Sequence, residues 1–179
     1  ANAVAPGTAR EAALAIESAG GTFVDGGIIG PPPQDGTGAR LYLSGRDAVS
    51  LAPLLSSVEL VARALDGPVG AASALKAAYA AWNKGAIALA TAARALATQA
   101  GVGDALDAEW NATQPDAIKR LGQMRHSARK AWRWTGEMDE IAAAFAEAGL
   151  PDGFHVAASN LYERLASFKD ADAAPSSDS

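Results

Sequence analysis

Lys76 follows Gly67-Pro68-Val69-Gly70 by six residues, at the opening of a long Ala- and Leu-rich segment. Glycines there let backbone approach a ligand closely, and a lysine one to two turns into a helix can project into the facing cleft. Partial burial lowers the pKa of such a group, which suits it to exchange a proton near neutral pH. On a helix, Lys76, Tyr79 and Asn83 share a face at i, i+3 and i+7, so a phenol and an amide would stand beside the ammonium. The plainer alternative is a lysine on a solvated helix face.

A second constellation lies upstream in Asp25-Gly26-Gly27-Ile28-Ile29-Gly30-Pro31. Gly26, Gly27 and Gly30 allow backbone amides near an anion; equally, the run reads as a tight turn stiffened by Pro31-Pro32-Pro33. Arg125 to Trp134 is a dense basic and aromatic cluster. It offers an anion contact, although a solvated helix face with its tryptophans packed inward is the favoured reading. His126 and His155 have no partners at metal-ligand spacing. Ser44, Ser73 and Ser159 lack a Gly-x-Ser-x-Gly elbow, and Glu137, Asp139 and Glu140 read as helix-surface carboxylates.

The elements that must position these residues change character along the chain. Pro6 to about Ser18 favours a helix with Ala12, Leu14, Ile16 and Ala19 on its apolar side, stopped by Gly20-Gly21. Thr22-Phe23-Val24, Arg40 to Ser44 and Val58 to Ala62 read as strands, and Arg46 to Leu55 as a short helix. After Gly67 only helices follow. One spans Gly70 to about Gln99 and is apolar enough to be buried all round. Asp104 caps a shorter one to Trp110, and Pro115 begins another that continues to Trp134. Residues 137 to 148 and 153 to 168 complete the set. The division expected is an α/β part over 1–66, a helical domain over 67–169 and a disordered tail over 170–179.

In three places the chain resembles the β-hydroxyacid dehydrogenases of the 6-phosphogluconate-dehydrogenase-like group. Gly67, Gly70 and Lys76 match the pattern Gly-x-x-Gly-x-Gly-x-x-x-Lys-x-x-Asn-Asn, with Ala72, Tyr79 and Ala80 departing from it. Asp25 and Gly30 match Asp-Ala-Pro-Val-Ser-Gly-Gly, with Ile29 at the Ser and Pro31 at the last Gly. Asn2-Ala3-Val4-Ala5-Pro6 stands at Asp-x-Ser-Thr-x-x-Pro, where Pro6 matches and Asn2 is a polar stand-in. A branch carrying a carboxyl-terminal domain of unknown function is similar in Asp25 to Pro33, in Ser73 through Gly85 and in Trp134 through Ile141.

The resemblance implies a mainly α fold: the remnant of a Rossmann α/β sheet, then an all-α, 6-phosphogluconate-dehydrogenase-like helical domain. It implies an NAD(P)-dependent oxidoreductase acting on a hydroxy acid or the matching carbonyl compound. Lys76 would assist proton transfer, Gly26, Gly27, Gly30, Tyr79 and Asn83 would contact substrate, and Asn2 would lie beside the cofactor. A homodimer built partly on the long helix is also implied. The dinucleotide fingerprint Gly-x-Gly-x-x-Gly does not occur; Gly101-Val102-Gly103 has Leu106 at the third position and reads as a helix stop. The chain therefore reads as the carboxyl-terminal part of a longer enzyme, inactive alone. The alternative is a non-enzymatic helical dimerisation or interaction module.

Composition narrows the field further. A net charge of −5 argues against nucleic-acid or membrane-surface binding. The absence of Cys removes disulfides and thiolate chemistry and fits a cytoplasmic setting. No apolar run reaches the ~20 residues of a membrane span.

Overall fold

A computed structural model describes residues 3–31 and 38–169. The fold is mostly helical, with a small amino-terminal sheet and a helical carboxyl-terminal region. It falls into two compact units. The first comprises the described residues up to Ala80 together with Ala143–Pro151; the second comprises Ala81–Ala142 and the described residues from Asp152.

The first unit opens with α1 (Pro6–Ser18), which has Pro6 in its first turn and stops at Gly20, whose φ of +83° suits glycine. Its buried residues are Ala9 and Ala13, while Leu14 and Ile16 face solvent. The apolar side read from the sequence is thus not the packed one, because small side chains let the helix sit close.

Strands β1 (Asp25–Ile29), β2 (Ala39–Ser44) and β3 (Leu60–Ala64) form one sheet in that order. β1 runs antiparallel to β2, with Asp25 opposite Ser44, and β2 runs parallel to β3. Helix α2 (Ala48–Leu55) makes the crossover, as a parallel pair requires. Leu41, Leu43, Ala48 and Ala52 form the buried core here, with Val24, Leu51, Leu60, Ala62 and Ala64 against it.

Two strands lie later than the sequence pattern suggests. The first is Asp25–Ile29 rather than Thr22 to Val24, so Gly26 and Gly27 belong to a strand and not to a loop. The third begins at Leu60 because the Ser57 hydroxyl accepts the amides of Glu59 and Leu60, at 3.3 and 3.1 Å, and turns the chain first.

Helix α3 (Ala71–Gln99) is continuous, as expected, but is not buried all round. Ala80, Ala81, Ile87, Ala88, Ala90 and Ala97 face inward, whereas Trp82, Leu89 and Leu96 face out. In the second unit α3 is followed by α4 (Gly103–Thr113), α5 (Pro115–Ala131), α6 (Trp134–Glu147), α7 (Gly153–Arg164) and a short 3₁₀ turn, Leu165–Phe168. Asp104 is not the cap of α4. The helix starts at Gly103, and Arg94 holds Asp107 at 2.8 Å.

The helix expected to run from Pro115 to Trp134 breaks after Ala131, with the Arg133 amide bonded to the Lys130 carbonyl at 3.1 Å. The expected tail, 170–179, lies outside the described residues. Among the described residues no helix is long and apolar enough to cross a membrane.

Candidate active site

The amino-terminal turn of α3 is fixed by a carboxylate that reaches it across the sheet. Asp25, at the head of β1 and almost fully buried, accepts the backbone amides of Gly70 at 3.1 Å and Ser73 at 2.8 Å. It also accepts the Ser73 hydroxyl at 2.7 Å and the Ser44 hydroxyl at 3.3 Å. Ser44 Oγ in turn accepts the Ala72 amide at 3.0 Å. Two otherwise orphaned amides of the 29-residue helix, Ala72 and Ser73, and that of Gly70 just before it thereby find buried acceptors.

That clamp presses α3 onto β1. A Cβ added at Gly27 would lie 2.8 Å from the Ala72 carbonyl oxygen and 3.1 Å from Lys76 Cβ. Only glycine permits the approach, which brings the Lys76 stem against buried Gly27. Lys76 is half-buried, and among the described residues its ammonium makes no hydrogen bond or ion pair. Near the start of α3 the Lys76 stem thus lies beside the backbone of β1.

The remaining candidates are spread out. Gly30, with φ of +122°, is exposed at the opposite end of β1 from Asp25. Tyr79 is exposed on α3, and Asn83 is half-buried one turn further along the same helix. Asn2 lies outside the described residues, as do Pro32 and Pro33.

The second unit holds a cluster that the sequence did not announce. Glu137, read there as a surface carboxylate, is mostly buried and paired with Lys84. The Lys84 ammonium also lies 5.6 Å from the centre of the Trp134 ring, and Trp134 meets Tyr162 edge-on at 5.2 Å. The Tyr162 hydroxyl donates to the Lys84 carbonyl at 2.6 Å, and burial pushes this phenol well above its usual pKa. His155 is buried nearby, 3.8 Å from where a Gly85 side chain would begin, and burial lowers its pKa. Lys84 and Glu137 are 53 positions apart. A lysine inside an Ala-rich helix was the one local signal.

The basic cluster is largely solvated: Arg125, His126, Arg129, Lys130 and Arg133 are exposed, while Leu121, Met124, Ala128 and Ala131 turn inward. The Trp132 ring is contacted by Arg133 at 5.4 Å and Lys169 at 4.6 Å. Among the described residues no group of three His, Cys, Asp or Glu could hold a metal ion.

A dinucleotide requires a glycine-rich strand-to-helix turn with open backbone amides. The β2–α2 turn, Ser44 to Asp47, carries one glycine of positive φ, Gly45, and a Cβ there would meet Val69 Cγ2 at 3.1 Å and the Phe23 oxygen at 3.5 Å. Val69 and the Phe23 backbone crowd the side-chain direction of Gly45. Among the described residues no glycine-rich dinucleotide motif is identified.

A three-stranded sheet followed by a helical region, with α3 clamped to the sheet, is an arrangement shared with known structures. Residues 97–165 match a family model for a domain of unknown function, DUF1932. The chain is similar to a conserved hypothetical protein from Sinorhizobium meliloti 1021, with 26% identity and a TM-score of 0.74, over 99% of this chain and 60% of that one. It is also similar to the conserved protein MTH1747 of unknown function, described as structurally similar to 3-hydroxyacid dehydrogenases. There the identity is 28% and the TM-score 0.67, over 94% of this chain and 64% of that one. The chain thus spans under two thirds of the length of either structure. No curated protein matches it.

Proposed function

We propose that this chain supplies the substrate-side part of an NAD(P)-dependent oxidoreductase acting on a hydroxy acid or the matching carbonyl compound, in a homodimeric protein. The observation that carries the reading is Lys76 held against Gly27, with 3.1 Å between its Cβ and the position a Gly27 side chain would take. In this reading Lys76 exchanges the proton of the substrate hydroxyl. Its positive charge also favours the carboxylate. Tyr79 and Asn83, following on the same helix, contact the substrate. Gly26 and Gly27 lie in the strand along which it binds, and Gly30 follows its end. NAD or NADP supplies the hydride chemistry and is carried on a phosphate-binding turn outside the described residues, with Asn2 beside it.

The test uses the protein that carries this chain, assayed with a panel of small 2- and 3-hydroxy acids and NAD or NADP by absorbance of the reduced cofactor. Lys76→Ala is expected to lower turnover about 10²- to 10⁴-fold, the usual contribution of a general acid or base. Unchanged turnover would end the assignment. A second reading, a non-enzymatic helical interaction module, is favoured by the apolar outer face of α3. It predicts no change in NADH or NADPH fluorescence on titration with the protein.

A further inference from the structure

The first unit holds a groove on the side of α3 away from Lys76. Ala74 and Ala78, one turn apart on the helix, line it and are exposed. Lys76, two residues from each, points to the opposite side. Buried Ala77 also lines the groove, with Pro6 from α1, Phe145 from α6 and Leu150 just beyond α6. The hollow is apolar and measures about 320 Å³, within the range of small-molecule sites. Among the described residues the only charged side chains along it are Arg10 and Glu147, and the two are not equivalent. The Glu147 carboxylate is engaged on both oxygens, by the Gly7 amide at 3.1 and 2.9 Å and by Arg10 Nη2 at 3.0 Å. Arg10 commits only Nη2, and its Nε and Nη1 make no hydrogen bond among the described residues. Gly70 leaves the guanidinium room, since a Cβ there would stand 3.2 Å from Nη1. An apolar hollow thus ends at a cation with N–H donors to spare, beside a carboxylate that is already occupied.

We propose that this groove binds a small amphipathic monocarboxylate, with its carboxylate on the unused N–H groups of Arg10 and its hydrocarbon along Ala74, Ala78, Phe145 and Leu150. The proposal does not rest on the reading of Lys76, and it places a second ligand on the other side of the same helix. Charge complementarity selects the head group. A carboxylate makes charge-assisted hydrogen bonds to a guanidinium, whereas an ammonium would have to compete with Gly7 and Arg10 for Glu147. Size selects the body. At about 30 Å³ for each non-hydrogen atom, the share of a water molecule in the liquid, the hollow takes about ten atoms. A straight-chain or aromatic acid of about six to eight carbons meets both conditions. The small side chains of α3 leave the space: any larger residue at Ala74 or Ala78 would occupy it.

Isothermal titration of the whole chain with sodium hexanoate should show one site, saturating on the order of 1 mM or below. Hexylamine and 1-hexanol should bind at least ~10-fold more weakly, because each lacks the charge-assisted hydrogen bond. Ala78→Leu fills the groove from an exposed position and should abolish hexanoate binding while the circular-dichroism spectrum and melting temperature stay as they are. Arg10→Gln should weaken binding about 10-fold. That change also breaks the pair with Glu147, so Ala78→Leu decides the matter if Arg10→Gln fails to fold. Lys76→Ala should bind hexanoate as the native chain does. Three results would each overturn the site: no saturation up to about 20 mM, well beyond the affinity expected; binding indifferent to Ala78→Leu; or hexylamine binding as tightly as hexanoate. Loss of binding in Lys76→Ala would overturn it too, by moving the carboxylate to the other side of α3.

Discussion

Asp25 is a buried carboxylate whose partners are all neutral donors: two backbone amides and two hydroxyls. Removing it strands those donors in a place that water does not reach, and each unsatisfied group costs about 1–3 kcal/mol. Asp25→Ala is therefore expected to destabilise the protein by about 3 kcal/mol or more. Asp25→Asn should be milder, since its carbonyl still accepts while the Ser73 hydroxyl can reverse. Thermal melts of the two variants check this, and equal losses would count against a hydrogen-bonding role. Lys76 depends on the same clamp for its place, so Asp25→Ala should also impair any chemistry at Lys76 without touching a substrate.

His155 gives a pH prediction. Burial holds its folded-state pKa below the ordinary 6.5, so the unfolded chain binds the proton more readily. Stability is then full above pH 6.5 and declines as pH falls from there towards the lower folded value, by up to about 1.4 kcal/mol per pH unit. Melting temperatures between pH 5 and 8 should show the decline in the native protein and a flatter profile in His155→Gln. Parallel profiles would remove His155 as the cause.

At the scale of elements, the long helix, the strand at Arg40 to Ser44 and the helix at Pro6 to Ser18 were legible because each is written in local pattern and punctuation. The placement of Lys76 after Gly67 and Gly70 was legible too. What stayed hidden depends on partners distant in sequence. Gly26-Gly27 looks like a turn from its composition, and becomes a strand because α3 lies on it too closely for any side chain. Glu137 looks like a surface carboxylate until Lys84, on another helix, is opposite it. The outer face of α3 shows the converse: Ala and Leu on every side imply burial, yet Trp82, Leu89 and Leu96 are exposed. Residue type tells what can be buried, while the tertiary structure tells by what.

At the scale of the whole molecule, helix ends matter more than helix interiors. The α1 amino terminus has no side-chain cap of its own. The carboxylate of Glu147, 140 positions away, accepts the Gly7 amide at 2.9 Å and pairs with Arg10 at 3.0 Å. The α3 terminus is likewise closed by a residue 48 positions upstream of the amide it binds. Such closures cannot form while the chain is still searching for its local structure, because joining distant segments comes late and costs loop entropy. Glu147→Ala should thus cost about 1 kcal/mol, as loss of a helix cap does. In stopped-flow kinetics that loss should appear as unfolding about five-fold faster, with refolding nearly unchanged. The helices of the first unit are latched last, so what the latches govern is how long the native state persists once it has been reached.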